Sequence, residues 1–87
     1  MKKKTIAILG STGSIGQSTL EIVKKSNKFK VELLFANKNY LKIINQIIFF
    51  KPRIFIVNNK NIYLKIKKKY LNKKIIILNN IENIQKY

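Results

Sequence analysis

Four short apolar runs, at residues 5–9, 30–36, 53–57 and 74–78, alternate along this 87-residue chain with segments of helical pattern. That rhythm constrains the fold more than any other feature. Strands joined through helices by short connections run parallel, and each crossover is right-handed. The pattern therefore predicts an α/β protein: a Rossmann-like parallel sheet in the order β-α-β-α-β-α-β, covered by helices on both faces. The run Thr5-Ile6-Ala7-Ile8-Leu9 is almost continuously apolar, as expected of a strand buried on both sides. A helix is expected from Ser14 to about Ser26, capped at or near Ser14 and closed near Asn27, with Ile15, Thr19, Ile22 and Val23 on its inner face. A second helix, residues 40–50, should start at the cap Asn39, bury Leu41, Ile44, Ile47 and Ile48, and stop before Pro52. Residues 61–71 fit two periods, because Tyr63, Ile66 and Tyr70 are spaced for a helix while Ile62, Leu64 and Ile66 alternate as in a strand. The surrounding rhythm favours helix. Residues 81–87 read as the opening turns of another helix.

The first β-α connection is Gly10-Ser11-Thr12-Gly13-Ser14-Ile15-Gly16, a G-x-x-G-x-x-G spacing set directly against the first apolar run. One glycine permits a tight turn, one lets backbone approach an anion, and one lets the new helix pack on the strand. The helix that follows aims free N–H groups and roughly half a positive charge at whatever sits above the turn. A mononucleotide P-loop is a poor match, since Gln17 stands where the phosphate-binding lysine is needed and five residues separate Gly10 from Gly16. A glycine turn with no ligand is the plain alternative. After the second apolar run come Asn37, Lys38 and Asn39. Dinucleotide sites that take NAD place an acid there to bind the ribose 2′-hydroxyl. A lysine attracts a 2′-phosphate instead, which predicts a preference for NADPH over NADH.

Composition narrows the remaining chemistry. There is no Cys and no His, and the three acidic residues (Glu21, Glu32, Glu82) are far apart in sequence, so a metal site or a carboxylate dyad from this chain alone is not expected. A chain this short buries only about 60–65% of its unfolded surface, leaving a thin stability margin. The net charge of +16 suggests polyanion binding, but lysines run the whole length of the chain and rise together with Ile and Asn. Joint enrichment of chemically unrelated residues fits a drift toward A/T-rich codons, with nonspecific attraction of polyanions as a by-product. Lys2-Lys3-Lys4 ahead of an apolar run imitates a signal peptide, but the run is short and ends in the glycine turn. No apolar stretch reaches the roughly 18–20 residues that span a bilayer. The expectation is a cytoplasmic chain, complete at its N-terminus, with no membrane partner and no specific nucleic acid.

The sequence from Thr5 through Gly10-Ser11-Thr12-Gly13-Ser14-Ile15-Gly16-Gln17-Ser18-Thr19-Leu20-Glu21 resembles the N-terminus of the 1-deoxy-D-xylulose 5-phosphate reductoisomerase family. Ala36-Asn37-Lys38-Asn39 and Phe50-Lys51-Pro52-Arg53 fall at the expected later intervals. The resemblance covers essentially the whole chain, but only the first part of the family's NADPH-binding domain. It implies that residues 1–87 are the N-terminal part of that Rossmann-like domain, with the catalytic and C-terminal domains absent. By resemblance, Gly10, Thr12, Gly13, Ser14 and Ile15 hold the pyrophosphate side of NADPH, and Asn37, Lys38 and Asn39 surround the 2′-phosphate. The family often has glycine where Asn37 stands. The family rearranges and reduces 1-deoxy-D-xylulose 5-phosphate to 2-C-methyl-D-erythritol 4-phosphate in isoprenoid biosynthesis, using NADPH and Mg²⁺ or Mn²⁺, and forms homodimers. Its metal ligands and catalytic groups match nothing here, so the chain alone is expected to be inactive, with no catalytic or metal residue of its own. Two alternatives stay open: another NADP-linked reductase sharing the turn, such as a semialdehyde dehydrogenase, and a basic nucleic-acid-binding module.

Overall fold

A computed structural model describes residues 3–82 and 84–87. The elements are β1 (Lys4–Leu9), α1 (Ser14–Lys24), β2 (Phe29–Ala36), α2 (Tyr40–Phe50), β3 (Ile54–Val57), α3 (Lys60–Lys69), β4 (Ile76–Leu78) and a closing 3₁₀ turn (Ile84–Lys86). The ambiguous segment is therefore helical, and the expected last helix is one 3₁₀ turn; residue 83 lies outside the described residues. The caps explain two of the boundaries. The Asn39 side chain accepts from the Lys42 N–H, and the Asn59 side chain from the Ile62 N–H at 3.1 Å, each satisfying a helix donor that would otherwise lack a partner. At the far end of α2, Lys51 turns into the left-handed region at φ 49° and Pro52 prevents continuation. α1 closes earlier than expected, at Lys25 and not near Asn27.

The four strands form one parallel sheet in the order β1-β2-β3-β4. Because every crossover steps in the same direction, right-handedness places α1, α2 and α3 on a single face. That corrects the expectation of helices on both faces. The covered face carries the core: Ile8, Val31, Leu34, Phe55, Val57 and Ile77 meet Leu20 and Val23 of α1, Ile43 and Ile47 of α2, and Ile66 of α3. The other face presents Leu9, Leu33, Phe35, Ile54, Ile56, Ile76 and Leu78 by strand alternation. Ile54 and Ile56, central in that face, are buried among their neighbours, whereas Leu9 at its edge is 67% exposed. β1 is thus an edge strand with most of its residues exposed, and not a strand buried on both sides.

Two local features break simple periodicity. Ile6 pairs with Val31 but Ala7 pairs with Leu33, leaving Glu32 as an extra residue in β2. The bulge puts Val31 and Leu34, three apart, on the same covered face, and lets Glu32 accept from Arg53 Nε at 2.6 Å. The helices are also rotated relative to the predicted stripes. α1 buries Gly16, Leu20 and Val23 while Ile15 and Ile22 are exposed; α2 buries Ile43, Gln46 and Ile47 while Leu41 and Ile48 are exposed. For α1 the cause is steric. A Cβ on Gly16 would strike the Gly10 carbonyl oxygen and lie 2.8 Å from Ser11 Cα, so only a helix with Gly16 against the strand end can pack this closely.

Candidate functional site

The carboxyl ends of the parallel strands carry the turns that can meet a ligand. After β1 the chain passes through Gly10 at φ 71°, a conformation that favours glycine. The Gly13 N–H donates to the Gly10 carbonyl at 3.0 Å, closing a tight turn. Ser11 is fully buried, and its N–H donates to the Phe35 carbonyl at 2.9 Å, extending the β1–β2 ladder by one bond. Two glutamine amides then grip the carbonyls of the turn. Gln17 Nε2 of α1 donates to the Thr12 carbonyl at 2.9 Å, and Gln46 Nε2 of α2 donates to the Ser11 carbonyl at 2.8 Å.

Gly13 is the N-cap of α1, in extended conformation (φ −77°, ψ 172°), with no side-chain cap. The first intrahelical bond runs from the Gln17 N–H to the Gly13 carbonyl, so the N–H groups of Ser14, Ile15 and Gly16 lack intrahelical acceptors. The Thr12 N–H has no backbone acceptor among the described residues either. The result is a small nest of backbone donors at the positive end of an 11-residue helix, with no acid in its first turn. That arrangement attracts anions.

The turn after β2 lies beside it, because Leu9 and Phe35 are register partners at the ends of adjacent parallel strands. Asn37, Lys38 and Asn39 are all exposed. The Asn37 carbonyl accepts from the Asn59 N–H at 2.9 Å, and Asn39 caps α2. Asn79 Nδ2 donates to the Val57 carbonyl at 2.9 Å and the Asn58 carbonyl at 3.1 Å, tying the next two turns into the same rim.

The structure therefore brings all eight sequence-predicted residues, Gly10, Thr12, Gly13, Ser14, Ile15, Asn37, Lys38 and Asn39, to one edge of the sheet. Gln17 and Gln46, which shape the first turn, were not among them. Gln46 was visible only as a polar residue within the apolar stripe 43, 46, 47, 50. A groove between α1 and α2, beside Leu20 and Phe49, is lined also by Gln17 and Gln46, while an apolar hollow beside Pro52, Tyr70 and Ile75 lies apart from the rim. The rim itself is open and built of backbone donors. Two groups titrate above their ordinary values, both away from the rim: Lys67, through the Tyr63 hydroxyl, and Tyr70, through burial and then Tyr40.

The acidic residues are engaged or isolated. Glu21 pairs with Lys24 at 3.6 Å, Glu32 with Arg53, and Glu82 is exposed. Among the described residues, no three His, Cys, Asp or Glu side chains cluster to hold a metal ion, and no helix is long and apolar enough to cross a membrane.

Comparison with known proteins decides between the remaining readings. The profile of the family described as 1-deoxy-D-xylulose 5-phosphate reductoisomerase matches residues 6–86. The chain belongs to this family. The Pelagibacter ubique reductoisomerase is 46% identical over 84 residues, covering 95% of this chain and 22% of that protein. The Clostridium novyi reductoisomerase is 51% identical over 65 residues, covering 74% of this chain and 17% of that protein. The chain thus spans about a fifth of the length of the relatives it matches. A solved DOX-P reductoisomerase in complex with magnesium superposes with a TM-score of 0.82 at 28% identity, over 95% of this chain and 21% of that one. The Zymomonas mobilis reductoisomerase in complex with NADPH superposes with a TM-score of 0.79 at 23% identity, over 88% of this chain and 21% of that one. A third, in complex with NADPH, fosmidomycin and magnesium, gives 0.76 at 29% identity, over 86% of this chain and 19% of that one. Over the portion matched, the fold is the one these reductoisomerases share, and the more distant alternatives, another NADP-linked reductase and a nucleic-acid module, give way to it.

Proposed function

We propose that this chain is the NADPH-binding portion of a 1-deoxy-D-xylulose 5-phosphate reductoisomerase, residues 1–87 being the N-terminal part of its Rossmann-like domain. The diphosphate sits over the donor nest, with Gly10 shaping the turn and Thr12, Gly13, Ser14 and Ile15 around the anion. The 2′-phosphate lies on the neighbouring turn, met by the Lys38 ammonium and the Asn37 and Asn39 side chains. One observation carries this reading: four N–H groups without helical or turn partners stand beside an exposed lysine at the carboxyl rim of adjacent strands.

The residues fit the group they would hold. A diphosphate needs several donors in a concave backbone and little local negative charge, and the rim supplies both. A 2′-phosphate needs a cation where NAD-dependent sites keep an acid, and Lys38 stands there. Bound NADPH supplies a hydride to substrate. This chain's part is to seat and orient the cofactor. With Glu21 and Glu32 already in ion pairs and Glu82 remote, ligands for a divalent metal and for the sugar phosphate come from other parts of the enzyme, which on this reading is a homodimer. The chain by itself is inactive on this proposal, and it acts in the cytoplasm.

Calorimetric titration with NADPH and with NADH at moderate salt tests the proposal. NADPH should bind more tightly, and Lys38→Ala should weaken NADPH by about 10- to 100-fold, the worth of a charge-assisted bond, while leaving NADH unchanged. Equal affinities for the two cofactors, insensitive to Lys38→Ala, would overturn it.

A further inference from the structure

We infer that Gln46 is a positioning residue of the anion-binding turn: its amide fixes the Ser11–Thr12 peptide plane and thereby aims the Thr12 N–H at the ligand. This rests on the cofactor reading above and assigns a role to a residue 35 positions away in sequence from the carbonyl it holds.

Glutamine is seldom buried, yet Gln46 is buried between Ile43 and Ile47 on α2, at the groove that Gln17 of α1 also lines. The residue is 8% exposed, and its side chain makes one bond, from Nε2 to the buried Ser11 carbonyl at 2.8 Å. The orientation is forced, since a carbonyl only accepts. The other end of the amide, Oε1, is buried with no partner, and so is the Ser11 hydroxyl beside the same bond. A buried amide satisfied at only one end is a costly way to fill a helix–strand contact. What the bond achieves is directional. A trans peptide is planar, so its carbonyl and the following N–H point in opposite directions, and no peptide in the described chain is cis. Holding the Ser11 carbonyl inward toward α2 turns the Thr12 N–H outward, where it lacks a backbone acceptor. Gln17 fixes the next plane in the same way through the Thr12 carbonyl. A donor held in place before the ligand arrives spares the ordering cost of binding.

The alternative is that Gln46 merely satisfies a buried carbonyl and supports the fold as a whole. Titration of Gln46→Leu with two probes separates the two roles. NADPH carries the diphosphate; adenosine 2′-phosphate carries the 2′-phosphate without it. The expected result is an affinity for NADPH lowered by about tenfold, with adenosine 2′-phosphate bound as in the unsubstituted chain. Parallel weakening of both probes, or no change in either, overturns the inference. If the unsubstituted chain binds neither probe, it is the cofactor reading that fails. Positioning is then still decided by amide NMR without ligand: the Thr12 and Gly13 signals should shift and broaden in Gln46→Leu while those of α3 stay in place. Unmoved Thr12 signals reject it. Gln46→Glu provides a second variant in case the leucine fails to fold. Its carboxylate cannot donate to Ser11, whereas its protonated form can, and burial favours protonation. The Thr12 signal should therefore return toward its original position as pH falls toward about 5; a pH-independent displacement contradicts the role.

Discussion

In the turn after β1, the carbonyls and the packing are committed while several N–H groups are left without partners. Gly10 adopts a positive φ, Ser11 is buried, the carbonyls of Gly10, Ser11 and Thr12 each accept a bond, and Gly16 closes the helix onto the strand end. In the turn after β2, Asn37, Lys38 and Asn39 are exposed, held by two backbone bonds and one helix cap. The two turns sit side by side on adjacent strands and, on our proposal, serve one ligand. Their difference shows how the work is divided. The first turn presents backbone, so its sequence is constrained by the geometry that aims the N–H groups. The second presents side chains, and Lys38, which carries no bond of the fold, can report on which cofactor is preferred.

The contrast is broken most severely at Gly16. Gly16→Ala places a Cβ against Gly10 and Ser11 backbone atoms, which cannot yield as a side-chain tip would. Overpacking of this kind costs about 1–3 kcal/mol or more, a large share of the stability of so small a domain. Thermal unfolding followed by circular dichroism should show a large drop in Tm or no cooperative transition; an unchanged Tm would mean the helix does not pack as described. Gly13 sharpens the comparison, since a Cβ there meets only the Gly10 carbonyl oxygen at 3.4 Å and its extended backbone suits a β-branched residue. Gly13→Val should therefore keep the fold, with Tm lowered only by the poorer N-cap, while abolishing measurable NADPH binding, because the new side chain stands where the diphosphate approaches. Loss of both together would make Gly13 a structural glycine like Gly16. Asn39→Ala gives the smallest effect of the three. It removes a cap worth about 1 kcal/mol, lowers Tm by a few degrees, and weakens NADPH far less than Lys38→Ala does. A larger loss of binding at Asn39 than at Lys38 would reverse the proposed roles within the second turn.

Much of this organisation is legible in the sequence, for reasons that separate by element. The β-α rhythm and the cap Asn39 act locally, so the element order and the bounds of α2 follow from composition and spacing. The glycine turn is legible because few residues tolerate its backbone. Which helix face turns inward is another matter. Ile15, Ile22, Leu41 and Ile48 are apolar yet exposed, so in an isoleucine-rich chain an apolar residue does not by itself mark the core. The true stripe of α1 is set by the absence of a side chain at Gly16, and that of α2 includes the polar Gln46, which a count of apolar positions passes over. Strand order is equally hidden. Local pattern identifies β1 as a strand but does not say that β2, β3 and β4 all extend from the same side of it, leaving one sheet face without helices.

The most direct test of the account is a nitrogen–proton correlation spectrum of the chain titrated with NADPH. The account predicts that the amide signals of Thr12, Gly13, Ser14 and Ile15 move together with those of Asn37, Lys38 and Asn39, and saturate with one affinity. Shifts spread instead over the lysines at the far end of α1, around Lys24, Lys25 and Lys28, with the glycine turn unmoved, would contradict it.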